Sequence, residues 1–124
     1  MPGLGTNGLN GAKIYHHVNF LVDLQERLMI LYTKQIESQI RRIAKSGSTG
    51  VALSRHCREE RMPERNVDFQ DILNVLNWGK VVHDHDQNTD KKFKVLGEDL
   101  EGISLCVIII ILDENSLLVK TVHE

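Results

Sequence analysis

The stretch ISLCVIIIIL at residues 103–112 constrains the fold more than any other part of the chain. It is apolar at odd and even positions alike. As a strand it presents apolar side chains on both faces, so it belongs at the centre of a sheet and is expected to be covered on both sides. Its apolar core is far short of the roughly 20 residues that a membrane helix needs, so no membrane span is expected. KVV at 80–82 and KFKVLG at 92–97 precede it, and LLVKTVH at 117–123 follows across DENS, a turn of hairpin length. The pattern after Gly79 predicts an antiparallel sheet of three or four strands.

Before Gly79 the period is that of helices. Ile14, Val18, Leu21, Leu24, Leu28, Tyr32, Ile36, Ile40 and Ile43 recur at spacings of three and four, which predicts one amphipathic helix over 12–46. Arg41, Arg42 and Lys45 suit the negative end of its dipole, and Gly47 can stop it. At 1.5 Å per residue such a helix is about 50 Å long. That exceeds what a sheet of ordinary strands can cover, so part of the stripe is expected to meet a second copy, as a homodimer through helix 12–46, or another partner. Residues 1–11, MPGLGTNGLNG, hold four glycines and a proline without periodicity and read as a flexible leader. A short helix is expected over 54–62, ended by Pro63. A second short helix is expected over 69–78, with Asp68 as its N-cap, Asp71 as a capping-box partner and Gly79 as its stop. The fold class predicted is α+β: one long and two shorter helices packed on the sheet, with 53–124 as the globular domain.

With 124 residues, 41% apolar and 26% charged, the composition is that of one globular domain with a real core. Net charge is −2. That excludes a protein that coats nucleic acid with its whole surface, and any contact with phosphate has to rest on a local basic patch. Cys57 and Cys106 lie in dissimilar surroundings, which gives neither a disulfide framework nor a paired-cysteine zinc site. No basic segment followed by an apolar one opens the chain, so no secretory signal is expected. A reducing, cytoplasmic setting is the simplest reading.

SRHCREERMPER at 54–65 is the most concentrated chemistry in the chain, with four arginines, three glutamates, His56 and Cys57 in twelve residues. Two readings are open. Its arginines can pair with Glu59, Glu60 and Glu64 on a solvated face, with His56 capping or packing. Alternatively, His56 can act as general base or acid, a role suited to histidine as a residue type, while arginines supply fixed donors for phosphate oxygens. Arg58, Lys91, Lys92 and Lys94 are candidate phosphate contacts, although lysines around Phe93 also suit a protected edge strand. His83 and His85 in HDHD point the same way along an extended chain and are weak metal candidates, since spacing marks no third ligand. Cys57 beside His56 could serve as a nucleophile, but no orienting third group is marked.

From residue 53 to the end the sequence resembles the domain-of-unknown-function family 4258. The resemblance is carried by LSRHCREERMPERNVDFQDILNVLNWGKVV, whose pattern is a short apolar strand, Ser, one residue, His, an Arg/Glu run ending in Arg, an acidic cap and a VLxxG helix end. KFKVLGEDLEGISLCVIIIILDENSLLVKTVHE supplies the closing strands. Two features depart from this resemblance and count against a ribosome-bound mode of action: Pro63 sits inside the His-to-Arg block, and the net charge is mildly acidic where ribosome-dependent toxins are usually basic. The resemblance implies a RelE/barnase-like toxin fold, similar to RelE, ParE and BrnT. It also implies a metal-independent endoribonuclease of a toxin–antitoxin or delivered-toxin system, held in check by an antitoxin or immunity protein and needing no cofactor. The family's recurring polar positions fall on His56, Arg61, Arg65, Thr121 and His123. The alternative is a non-catalytic interaction or immunity-type module of the same fold.

Overall fold

The computed structural model describes residues 2–82 and 91–124, the side chains of 2–19 excepted. The chain divides into two compact units, Met1–Lys34 and Gln35–Glu124. Helix α1, Pro2–Lys45, contributes to both. The glycine-rich opening, expected as a leader, is therefore helical from Pro2 onward. Each glycine costs about 1 kcal/mol relative to alanine in a helix, but once a helix is nucleated every added residue gains a hydrogen bond. Gly47 ends the helix in the left-handed region at φ 58°.

In the first unit every described side chain from residue 20 to 32 is exposed. In the second unit the last turns of α1 bury Ile36, Ile40, Ile43 and Ala44 in the main core. That core lies between the helices and one face of a five-stranded sheet of order β1-β5-β4-β3-β2. The strands are β1 Val51–Leu53, β2 Lys80–Val82, β3 Lys92–Glu98, β4 Ser104–Asp113 and β5 Ser116–His123. Three pairings are antiparallel, but β1 pairs parallel with β5, Val51 beside Leu117 and Leu53 beside Val119. The sheet is thus mixed and has one strand more than the alternation pattern predicts. Three residues are too few to show a period. The helices and three strands between β1 and β5 give the chain the long return that a parallel pair requires.

The isoleucine run is an inner strand, as expected, flanked by β3 and β5. Leu105, Val107, Ile109 and Ile111 face the helices within the core cluster. On the other face Cys106 and Ile108 are also buried, Ile110 is half-buried and Leu112 is exposed. Cover on that second face is therefore partial.

The helix expected to stop before Pro63 runs through it. Residues 57–61 (Cys57–Arg61) form a π-turn and Met62–Arg65 continue as helix α2. The Met62 amide donates to the Cys57 carbonyl, five residues back. A π-turn admits one extra residue, and such bulges are a recognised way for a helix to absorb a local disruption of its bonding ladder. Here it lets Pro63, which lacks an N–H, sit inside the helix. Asn66 closes it at φ 54°, and Val67 donates to the Met62 carbonyl at 2.9 Å, a Schellman-type end.

Helix α3, Phe69–Trp78, has both halves of the expected capping box between Asp68 and Asp71. Gly79 ends it, but with extended backbone at φ −77° and ψ 175°. Glycine is needed there for space: a Cβ would lie 2.5 Å from the Val75 carbonyl oxygen and 2.7 Å from that of Leu96. Among the described residues, no helix is long and apolar enough to cross a membrane.

Candidate functional site

Ser54 fixes where the arginine-rich helix begins. Its backbone amide donates to the Val119 carbonyl at 2.9 Å and its hydroxyl donates to the Lys120 carbonyl at 2.7 Å. The same hydroxyl accepts from the Cys57 amide at 3.0 Å, capping the first turn. Lys120 is the extra residue of a bulge: Ile108 pairs with Thr121 and Ile109 with Val119. One serine thus holds the helix start against an irregularity in the last strand. At the other end Arg65 reaches the Glu124 carboxylate at 3.6 Å. The helix over 55–65 is tied to β5 and the residue after it at both ends.

Between these ties the π-turn sets the side-chain register. His56 Nδ1 contacts the Glu60 carboxylate, and Arg61 Nε donates to His56 Nε2 at 3.2 Å. A ring nitrogen that accepts carries no proton, so the pair of contacts assigns the neutral tautomer with the proton on Nδ1, donated to Glu60. Arg61 also reaches Glu64 at 3.3 Å. A carboxylate, an imidazole and a guanidinium therefore stand in line, with half of the His56 side chain exposed. Arg61 is five residues from His56, a spacing that faces its partner across a π-turn and not across a regular α-turn.

The ion pairs expected on a solvated face are present as well. Arg55 meets Glu59 at 2.9 Å, and Arg58 stands 4.0 Å from the same glutamate. Exposed pairs of this kind are worth about 0–1 kcal/mol each, so they set positions more than stability. Cys57 points inward and is fully buried. Burial pushes its thiol up to about 11, which keeps it protonated near neutrality and unsuited to be a nucleophile.

Thr121 and His123 do not join this cluster directly. They lie on the sheet face turned away from the helices, where Thr121 pairs across from Ile108 and His123 from Cys106. Continuing across the strands, Ile108 pairs with Lys94 and then Val82, and Cys106 with Leu96 and then Lys80. Lys92, beside Ile110, completes a cationic border along β3. Lys94 acts on Cys106 electrostatically: burial raises that thiol and the lysine partly offsets the rise. Lys91, just before β3, is exposed and lends its carbonyl to the Ile111 amide. The five candidate catalytic residues thus fall into three places: His56 with Arg61, Arg65 at the chain end, and Thr121 with His123 on the second sheet face.

Glu60 meets His56 as their i,i+4 spacing allows, the contact expected of a structural clamp, but with the imidazole half exposed and not buried. Sequence reading passed over Ser54 and Lys80, whose positions depend on a bulge and a register that no local pattern encodes. A groove of about 570 Å³ is lined by residues including Arg58, Met62, Asn66, Phe69 and Leu100. His56, Arg61 and Arg65 are not part of its wall.

His83 and His85 lie outside the described residues. Among the described residues, no group of three or more His, Cys, Asp or Glu side chains is placed to hold a metal. No curated protein matches the chain, and no solved structure matches it. A family model described as a domain of unknown function, DUF4258, matches residues 53–124, the segment that carries the arginine-rich helix, strands β2 to β5 and the candidate residues above. The chain belongs to that family.

Proposed function

We propose that this chain is a toxin-type, metal-independent endoribonuclease with a RelE/BrnT-like domain, held in check by an antitoxin or immunity protein in the cytoplasm. The observation that carries the reading is the exposed Glu60–His56–Arg61 line. Glu60 orients the imidazole and leaves Nε2 as the basic atom. Arg61 moves its donors from Nε2 to the phosphate when RNA arrives. Nε2 then takes the 2′-hydroxyl proton, and the 2′-oxygen attacks phosphorus while the guanidinium faces the doubly charged phosphorane. The bond to the 5′-oxygen breaks, and that oxygen leaves with a proton from water. The products are a 2′,3′-cyclic phosphate and a 5′-hydroxyl. In this reading Arg58 and Arg65 add positive charge along the helix. Lys91, Lys92 and Lys94, with Thr121 and His123, hold the strand beyond the cleaved bond.

A second reading is favoured by one observation: Arg55, Arg58, Arg61 and Arg65 each stand within ion-pair distance of a carboxylate. On that reading the block is a clamp, and the chain is a non-catalytic interaction or immunity-type module. Expression of the chain alone separates the two. The enzyme arrests growth, and His56→Ala relieves the arrest; the module leaves growth unchanged with either residue.

A further inference from the structure

Among the exposed apolar side chains at residues 20–32, four leucines follow a heptad, while Val22, Met29 and Ile30 lie off it. With Leu21 and Leu28 at the a positions, Leu24 and Leu31 fall at d. All four are 44–58% exposed. Glu26 and Thr33 fall at f, the position opposite the seam, and both are polar. In sequence the register extends one heptad upstream, to Ile14 at a and His17 at d. Sustained spacing of this kind keeps one seam facing a partner helix.

We propose that residues 14–34 form a parallel, two-stranded coiled coil with a second copy of this chain. The flanking charges argue for both the occupant and its direction. Arg27 and Lys34 occupy the g positions, with Gln25 and Tyr32 at e. An antiparallel pair brings g against g, setting Arg27 against Lys34 of the other copy in like-charge contact. A parallel pair brings g against the following e, so Arg27 meets Tyr32 of the other copy, a cation beside an aromatic ring. Within its own helix Arg27 pairs with Asp23 at 3.0 Å, an exposed ion pair that it exchanges for that contact. The identical leucine seam is complementary to itself, which is what a two-fold pairing requires.

The area is adequate for a modest dimer. From their fractional exposures, Phe20, the four leucines and Tyr32 present on the order of 600 Å² per copy, so two copies remove at most roughly 1,200 Å², at the lower end of stable interfaces. Association is therefore expected to depend on concentration.

The test uses the full chain. Sedimentation velocity should show a monomer–dimer equilibrium, and Leu24→Glu with Leu28→Glu should weaken it at least 100-fold. The thermal transition of the 35–124 unit serves as the folding control. Because Cys57 and Cys106 are buried, an added cysteine reports orientation. Leu24→Cys at the seam should form a disulfide-linked dimer on oxidation, and Glu26→Cys at f should not. A chain that stays monomeric at all concentrations overturns the proposal. So does a dimer in which Glu26→Cys links as readily as Leu24→Cys, or one that the double glutamate variant leaves intact.

Discussion

Helix α1 carries one apolar pattern and gives it two fates. Ile36, Ile40 and Ile43 are 9%, 1% and 2% exposed, whereas Leu24, Leu28 and Leu31 are 44%, 57% and 58% exposed. The spacing is the same in both stretches. The difference lies in what each finds to pack against: the later residues have the sheet and α3 within their own unit, and the earlier ones do not. Periodicity identifies a face that needs cover without identifying the cover.

The contrast should be large in stability measurements. Ile40→Ala is expected to cost about 2–5 kcal/mol, because it opens a cavity in a packed core. Leu28→Ala should change the stability of the 35–124 unit by less than about 0.5 kcal/mol, as expected of exposed sites. Urea denaturation of the two variants makes the comparison, and equal losses would break it. Within the packed unit, Gly79→Ala should cost about 1–3 kcal/mol, the usual penalty of overpacking, since the new methyl meets two carbonyl oxygens.

Smaller effects sharpen the same contrast. Asp68→Ala removes a side-chain cap from α3 and should cost about 1 kcal/mol. Asp23→Ala removes only an exposed ion pair with Arg27, and its effect should stay within about 0.5 kcal/mol. The capping box also carries a pH signature. The Asp68 amide, with that of Leu100, holds the Asp71 carboxyl below its ordinary value of 3.8, although partial burial opposes this. The folded state then binds fewer protons than the unfolded chain near that value, so stability rises with pH there. The contribution is present above the unfolded value and is lost as pH falls through the folded one. Asp71→Asn should flatten the acid limb of the stability profile below about pH 4 and leave the neutral region with the same slope.

The sequence carried the helices, the inner strand and the capping box, because each rests on local periodicity or local hydrogen bonding. Strand β1 was not countable from periodicity: the family pattern marked a short apolar strand before Ser54, but its place beside β5 rests on a parallel register that no local signal encodes. The passage of the helix through Pro63 was not legible either. Proline normally ends a helix, and only the π-turn, a non-local adjustment held by Ser54 and β5, admits it. The same turn explains what was legible in the candidate site. His56 and Arg61 were singled out by residue type and do meet, but across a five-residue spacing that a 3.6 period does not bring together. Thr121 and His123 were grouped with them by the family resemblance. The bulge at Lys120 fixes which face their side chains take, and that face is not the helical one.

The most direct test of the proposed chemistry is cleavage of a mixed single-stranded RNA by the purified full chain in the presence of a chelator. Cleavage should persist without metal and leave 2′,3′-cyclic phosphate ends. His56→Ala should lower the rate at least 100-fold, in line with the contribution of a general base, and Arg61→Ala should weaken it while leaving the fold intact by circular dichroism. RNA left uncut under these conditions, or cut equally well by a folded His56→Ala variant, would contradict the account.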